Sequence, residues 1–511
     1  MKFIVCFHAY IVSSGAFSTS SVGTISSPRQ SLVLKRENRR SQLHVTENDD
    51  NQVPFERENY LVTVDNEEEK DNGDAGEVSM AAGVFSLTKA MVGTGLLAMP
   101  GGLAATSDFP SMLWPANLLI LVMGALSAYT FSLYGRLAFS TKSKTLDALW
   151  SNVFSYQDPE TGTTKKGNTL PVSISNFLFC FGCCLCFLLV ITDTLNSLTT
   201  LVASAPTPWW VSRNTIILSV VTAVLWPLCN LKSLKALAPV SIIGVLGCLV
   251  STAFVVWRCP FVNKSSPYAG AAQFSTYNRL KGPAPLVLFS MGCVALMAHF
   301  SATDFLNAFT TKEANKNAES IPVDERRPIR RYSRMTLIGF ALVALINAIN
   351  LTFGFLTFGG KSAGIILNNY SASDWGAALS RLFTGVSVGG SFPILLSACR
   401  SSAFDLFRVS PQNGRKKLTA VLVAAIAGIA MLVKDAGFVV SFNGALTGTA
   451  ILYIFPALMF LRWTEPLKAV QGWGRRLERA FCRFLVGFGA VAAVMGVATT
   501  IINSYFPHLL V

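Results

Sequence analysis

Long apolar stretches separated by short polar segments dominate the chain from residue 80 onward. A bilayer core about 30 Å thick takes roughly 20 mostly apolar residues as helix, because backbone amides in lipid must hydrogen-bond within their own segment. The predicted fold class is therefore an all-α polytopic membrane protein, with its membrane domain in residues 80–511. The pattern predicts eleven transmembrane helices, near 80–105, 112–138, 173–200, 214–231, 237–257, 284–311, 335–360, 375–399, 418–433, 437–461 and 484–504.

Composition supports a membrane protein and excludes a cytosolic enzyme. Apolar residues make up 51% of the chain and charged residues only 14%, whereas a soluble domain has about 25% charged residues. The net charge of +14 is concentrated on one side of the predicted helices: alternate connections carry 24 Lys and Arg residues on one side and 7 on the other. Such a bias orients membrane proteins with the basic side toward the cytosol. The basic charge therefore indicates topology and predicts no nucleic-acid partner.

The segment before the first helix, residues 1–79, has the composition of a disordered tail. Residues 1–46 combine a short apolar run with a Ser- and Arg-rich stretch and have the pattern of a signal or transit segment. Residues 47–77 hold twelve acidic side chains. The alternative for residues 1–46 is the start of a plain cytosolic tail. The host membrane is left open among plasma, vacuolar or lysosomal, and, for a bipartite signal, plastid membranes.

Two of the predicted spans contain helix-breaking or polar residues at mid-depth. The first has Gly93-Thr94-Gly95 and then Pro100, and the sixth has a polar patch from His299 to Asp304. Glycine loosens a helix and proline removes a backbone donor, and irregular backbone is tolerated in a bilayer only where it lines a cavity. We expect two half-helices in each of these spans.

Interrupted first and sixth helices are typical of transporters built from two inverted five-helix repeats, whose binding site lies at the membrane midplane. Eleven spans are two such repeats plus one helix. Free N–H groups at a half-helix N-terminus favour an anion, and freed carbonyls favour a cation. The pattern therefore predicts a site for a small zwitterion such as an amino acid.

Five motifs carry a family resemblance across about 430 residues. The stretches 86–100 and 298–305 resemble the first- and sixth-helix motifs of the amino acid/auxin permease family. Further agreements follow in the family's order at 356–359, at Phe392-Pro393 with Arg400, and at 444–446 leading to 455–458. The resemblance implies an eleven-span permease with the leucine-transporter type of fold that moves amino acids. It implies no cofactor, and the coupling ion is H⁺ or Na⁺.

By the same resemblance, the backbone of Gly93, Thr94 and Gly95 holds the substrate carboxylate. The freed backbone carbonyls near Phe300, Ser301 and Ala302 then hold the substrate ammonium. The family more often has Asn where Ser301 stands and Pro where Thr303 stands. These differences bear on side-chain selectivity more than on backbone binding.

Few ionisable residues lie inside the spans, and each is a functional candidate because a charge in lipid is costly. Lys89 precedes Gly93 by one turn, and this arrangement resembles proton-coupled and vacuolar relatives. H⁺ is therefore the predicted coupling ion and Na⁺ the alternative, while snorkelling to the interface is the structural alternative for Lys89. Asp304 is a candidate proton carrier or an ion-pair partner, and His299 either titrates or donates a structural hydrogen bond.

The remaining candidates lie toward the outer ends of the helices or on the eighth span. Asp193 and Arg381 are predicted as a gate pair or as plain interface residues. Ser387 and Ser391 occupy the place of a sodium ligand in this fold. The cluster of Cys180, Cys183, Cys184 and Cys186 is interpreted as helix packing rather than a metal site.

Three functions stay open at this stage. They are a proton-coupled amino acid transporter, a sodium-coupled one, and an amino acid sensor that binds without net flux. The expected partners are an amino acid and the lipid bilayer, and an enzyme is not expected, because no span contains HExxH or paired acids at helical spacing.

Overall fold

The computed structural model describes residues 79–158, 163–202, 212–231, 238–275, 285–316, 327–407, 411–466 and 473–506, which all belong to one compact unit. This unit is mostly helical, so the predicted all-α polytopic class is confirmed. The predicted tail, with its segments 1–46 and 47–77, lies outside the described residues except for Ser79, whose hydroxyl caps the first helix by accepting from Ala82 N–H.

Most of the described chain is helical, and its one β-hairpin is formed by two strands of two residues each. The two strands, β1 Tyr156–Gln157 and β2 Thr164–Lys165, pair antiparallel. The helices are α1 Met80–Met91, α2 Thr94–Thr106, α3 Leu113–Thr141, α4 Leu146–Val153, α5 Leu170–Val202, α6 Arg213–Val220, α7 Trp226–Cys229, α8 Ala238–Arg258, α9 Pro285–Ala295, α10 Ala302–Lys316, α11 Arg327–Phe358, α12 Trp375–Phe407, α13 Pro411–Leu432, α14 Ala436–Asn443, α15 Phe455–Trp463 and α16 Trp473–Tyr505. Short 3-10 helices are Pro110–Met112, His299–Ser301 and Ile366–Asn369, and π-helical segments are Val221–Leu225, Gly444–Gly448 and Ala450–Ile454.

The described residues contain seven helices long and apolar enough to span a membrane, or eight if a bent pair is one span. The bent pair is α1 with α2, which is the first predicted span. The fourth and fifth predicted spans correspond to shorter apolar helices, Arg213–Cys229 and Ile243–Arg258. The ninth predicted span lies in α13. The predicted count of eleven is therefore not confirmed, although helical structure is present at each predicted position.

The first predicted span is broken where the glycines are. Helix α1 ends at Met91, and Val92 and Gly93 have extended backbone conformations before α2 begins at Thr94. The two helix axes meet at 51°. Pro100 lies inside α2 and does not end it. The break follows from two residues with non-helical backbone, as expected for this span.

The sixth predicted span is also interrupted. Helix α9 ends at Ala295, residues 296–298 are non-helical, and a 3-10 helix at His299–Ser301 leads into α10. Unlike the first break, this one has no bend of more than 40°, and Pro285–Phe309 qualifies as one span.

The loop 359–374 lies against α2, which follows the first break, and against α14. A side chain at Gly101 of α2 would overlap the carbonyl oxygen of Ala363, and one at Gly437 of α14 would overlap Gly364. Glycine at both positions therefore permits this backbone approach. The loop therefore packs directly on α2 and α14.

The loop is held to its own following helix by buried polar groups. The guanidinium of Arg381 on α12 donates to the carbonyls of Leu367, Tyr370 and Ser371 at 2.8, 2.6 and 3.3 Å. Arg381 is 4% exposed. Its donors therefore replace the water that these loop carbonyls would otherwise need.

Asp374 fixes the end of the loop to α8. Its carboxylate accepts from Arg258 at 2.8 Å and from the Tyr268 hydroxyl at 3.0 Å. Burial alone would raise the pKa of Asp374, but these two hydrogen bonds outweigh it and hold the pKa below its usual value.

Acidification should therefore weaken this anchor. A carboxyl whose pKa is lowered by folding contributes stability above its unfolded pKa, near 3.9, and loses it as pH falls through the lower folded value. We expect the unfolding temperature of Asp374→Asn to lie below that of the unmodified chain at pH 7, and the gap to narrow below about pH 4. Thermal unfolding followed across pH measures this, and a gap independent of pH would contradict it.

Candidate functional site

The two helix breaks lie directly against each other. A Cβ built on Gly95, in the first turn of α2, would stand 2.7 Å from Cα and 2.8 Å from N of Ala295, the last residue of α9. No side chain fits between backbones at that distance. The ends of α2 and α9 that flank the breaks are thus in backbone contact.

The first break leaves free backbone donors. Among the described residues, the N–H groups of Gly93, Thr94 and Gly95 have no hydrogen-bond acceptor, because α1 has ended before them. The dipole of α2 adds partial positive charge at the same place. These three amides are the ones that the sequence proposes for a carboxylate.

Open space adjoins these amides. A Cβ at Gly93 would have no atom within 4 Å among the described residues. The backbone of Gly93, with φ −164°, is extended, so other residues can adopt it. Its position beside free donors is suited to a ligand.

The second break leaves free carbonyls, but not at the predicted residues. In the described part of the chain, the carbonyls of Ala295, Leu296 and Met297 accept no hydrogen bond. The predicted Phe300, Ser301 and Ala302 lie in the 3-10 helix and the start of α10. The free acceptors are thus five residues earlier than expected, and they belong to the end of α9 that contacts Gly95.

Helix α5 covers the breaks from one side. The ring of Phe300 lies 6.2 Å from that of Phe179 on α5. Asn443 of α14 donates to the Phe179 carbonyl at 3.0 Å. Phe179 and Asn443 were not among the predicted site residues, and the only sequence signal for Asn443 is its place before the Gly444 motif.

His299 makes structural contacts. Its Nε2 lies 3.1 Å from the Ser127 carbonyl oxygen, to which it donates, and 3.0 Å from the Thr130 hydroxyl. The ring is fully buried and faces Phe131 edge-on at 5.5 Å. Because a carbonyl only accepts, Nε2 carries a proton, and the imidazole ties the second break to α3.

Removing this imidazole should affect folding more than coupling. We expect His299→Leu to lower the free energy of unfolding by about 1–2 kcal/mol through loss of a buried hydrogen bond, and to leave the pH dependence of transport unchanged. Thermal unfolding and uptake at several pH values check this. A changed pH profile with normal stability would instead identify His299 as a proton carrier.

Lys89 and Asp304 flank the two breaks. Lys89 lies in the last turn of α1 and is half-buried, and it has no hydrogen-bond or ion-pair partner among the described residues. A cation at a helix C-terminus interacts favourably with the helix dipole. Asp304 is half-buried in the first turn of α10, where the dipole favours an acid. The two residues are therefore both placed at the ends of half-helices.

The predicted pairing of Asp193 with Arg381 is wrong. Asp193 accepts from Asn368 at 3.0 Å and lies 3.9 Å from Arg213. Arg381 instead donates to three loop carbonyls, as described above. The sequence identified both residues as unusual, but their partners come from a loop and a helix that it did not connect to them.

The serines of the eighth span lie on α12, where it packs against α8. Ser387 lies close to Gly244 of α8, whose Cβ would stand 2.6 Å from the Ser387 hydroxyl oxygen. Ser391 donates to the Ser387 carbonyl at 3.0 Å. Both hydroxyls are therefore engaged within α12 or toward α8.

The four cysteines of α5 are buried. The Cys183 thiol accepts from Asn443 at 3.5 Å, and Cys184 lies 4.0 Å from the Phe392 carbonyl oxygen. These contacts place the thiols between helices, in agreement with their interpretation as packing residues.

Comparison with known proteins identifies the family. A family model described as transmembrane amino acid transporter protein matches residues 76–303 and 323–502. Vacuolar amino acid transporter 2 of Saccharomyces cerevisiae is 24% identical over 356 residues, which are 66% of this chain and 69% of that protein. Putative sodium-coupled neutral amino acid transporter 11 of Rattus norvegicus is 24% identical over 434 residues, 84% of this chain and 86% of that protein.

Solved structures with a similar fold include MhsT in complex with L-phenylalanine and the inward-facing conformation of Mhp1. MhsT gives a TM-score of 0.48 at 12% identity and covers 84% of this chain and 100% of its own. Mhp1 gives 0.46 at 10% identity, with 82% and 90% covered. Since the family model matches well over half of its residues, the chain belongs to the transmembrane amino acid transporter family, a family of transporters and not of enzymes.

Proposed function

We propose that this protein moves neutral amino acids across a membrane by alternating access around the breaks of its first and sixth spans. The observation that carries the proposal is the contact between Gly95 and Ala295. It brings unpaired donors and unpaired acceptors together in the interior of a membrane protein. Buried backbone groups are rarely left unpaired, so this arrangement needs a ligand or water to complete it.

An α-amino acid matches these groups in charge. The amides of Gly93, Thr94 and Gly95 bind the carboxylate, and the carbonyls of residues 295–297 bind the ammonium. Each hydrogen bond to a charged group contributes about 1.5–3 kcal/mol. Because backbone groups supply them, the site binds the part that all amino acids share, and the surrounding side chains select among substrates.

The alternating-access step requires the half-helices to move relative to their neighbours. In this structure the loop 359–374 packs on α2 and α14, and we assign this arrangement to the closed state of that end. Transport requires a second state in which this end opens. The bend of 51° between α1 and α2 supplies a hinge at the binding residues themselves.

We assign H⁺ as the coupling ion, with Lys89 as the responsible residue. Support comes from its half-buried position beside the break without a partner among the described residues. A fixed ammonium there repels Na⁺. The relative named vacuolar amino acid transporter 2 supports an internal membrane as the location.

Sodium coupling is the second candidate. It is favoured by relatives named sodium-coupled neutral amino acid transporters, two of which, from Rattus norvegicus, align with 86% and 84% of this chain. Uptake with Na⁺ replaced by choline separates the two, since H⁺ coupling predicts unchanged uptake.

Flux through purified protein tests the proposed function. In proteoliposomes we expect uptake of radiolabelled L-alanine, L-leucine or L-glutamine above that of protein-free vesicles. L-glutamate and L-lysine serve as charged comparisons. Saturable binding of a neutral amino acid without uptake would contradict transport and support a sensor.

A further inference from the structure

One carboxylate connects the loop 359–374 to the helix that covers the breaks. Asp193 of α5 accepts from the Asn368 amide at 3.0 Å, and Asn368 belongs to the 3-10 helix Ile366–Asn369 within the loop. Arg213 lies 3.9 Å from the other carboxylate oxygen. Nearer the other end of α5, the ring of Phe179 lies 6.2 Å from that of Phe300 at the second break. Asn368 thus links the loop to the same helix that lines the candidate site.

The other polar anchors of the loop do not cross to α5. Arg381 binds loop carbonyls from α12, and Asp374 binds Arg258 and Tyr268 from α8 and the segment after it. Asn369 bonds only within the loop, to Lys361 and Ala363. These contacts tie the loop to α12, to α8 and to itself, whereas the bond from Asn368 to Asp193 joins it to α5.

A cavity lies beside the loop at the same end of the helices. Its volume is about 260 Å³, and its lining includes Ala104 of α2, Ser362 and Gly364 of the loop, and Phe438 of α14. Ala104 is 4% exposed. Withdrawal of the loop would open this cavity and the face of α2 to solvent.

We propose that Asn368 is a positioning residue of the transport cycle, whose hydrogen bond to Asp193 holds the loop 359–374 closed and breaks when this end of the protein opens. The inference rests on the proposed transport function, because it assigns the bond to one half of that cycle. It replaces the Asp193–Arg381 gate with a different partner on the loop.

Labelling of a cysteine at position 104 tests the proposal. In Ala104→Cys, reconstituted without substrate, a membrane-impermeant maleimide added on the loop side should react slowly. Adding Asn368→Ala should raise the rate about fivefold, because a hydrogen bond to a partly exposed charged group is lost. Protein with the native alanine gives the background, since the ten described cysteines are buried.

Asn263→Ala is the matched control, because that amide oxygen accepts only from Ser265 in its own turn. Equal labelling rates in the Asn368→Ala and Asn263→Ala proteins would overturn the proposal. The exchanged pair Asp193→Asn with Asn368→Asp keeps an amide–carboxylate bond and should restore slow labelling. Labelling as fast as in Asn368→Ala would also overturn it.

The test separates this inference from the function on which it rests. Labelling is measured without substrate, so a fivefold difference supports the closing role even if no flux is found. Normal flux with no difference in labelling would overturn only the role of Asn368.

Discussion

Gly93→Val should abolish amino acid flux while the protein folds and reaches the membrane normally. A Cβ at this position meets no atom within 4 Å among the described residues, and the extended backbone suits valine. The added side chain therefore occupies the open space beside the free amides and displaces the carboxylate. Loss of two hydrogen bonds to a charged group, about 3 kcal/mol, corresponds to roughly a hundredfold weaker binding.

Gly428→Val provides the control for this prediction. Gly428 of α13 is exposed, and its Cβ also meets nothing within 4 Å, but it is far along the chain from both breaks. Uptake in proteoliposomes and the unfolding temperature should be near those of the unmodified protein. Normal uptake by Gly93→Val would show that the substrate site lies elsewhere.

Lys89→Asn should remove proton-driven accumulation before it changes substrate affinity. If one proton accompanies each amino acid, a gradient of one pH unit supports about tenfold accumulation, since one unit is 1.36 kcal/mol. Without the ammonium beside the break, we expect uptake to stop at equal concentrations on the two sides. Counterflow exchange, which needs no gradient, should persist.

The comparison of gradient-driven uptake with counterflow decides the role of Lys89. Loss of both activities would indicate a damaged binding site rather than lost coupling. Retained accumulation would remove Lys89 from the coupling mechanism and leave it as an interface residue. A newly acquired dependence on Na⁺ would show that the ammonium had excluded a sodium ion.

The sequence predicted both breaks because glycine and polar residues stand out within apolar helices. Gly93 lies in the gap between α1 and α2, and the patch that begins at His299 follows the second interruption. The free carbonyls at 295–297 were not predicted, because Ala295-Leu296-Met297 is apolar and lacks Gly or Pro. Nothing in that composition distinguishes an unwound segment from a continuous helix.

Long-range partners could not be predicted from one sequence. Asn368 and Asp193 are 175 residues apart, and no local pattern connects a loop amide to a carboxylate in another helix. Hydropathy located the helices well, but it cannot decide whether segments as short as 213–229 cross the bilayer. Those decisions depend on packing between distant parts of the chain.

The central claim is that the amides at residues 93–95 and the carbonyls at residues 295–297 together hold one amino acid. A cryo-electron microscopy map of the protein in nanodiscs with saturating L-glutamine or L-leucine, compared with a map without amino acid, tests it most directly. The account predicts added density between the two breaks, with its carboxylate toward Thr94 and its amine toward Leu296. Amino acid density at another place, with both breaks closed into continuous helices, would contradict it.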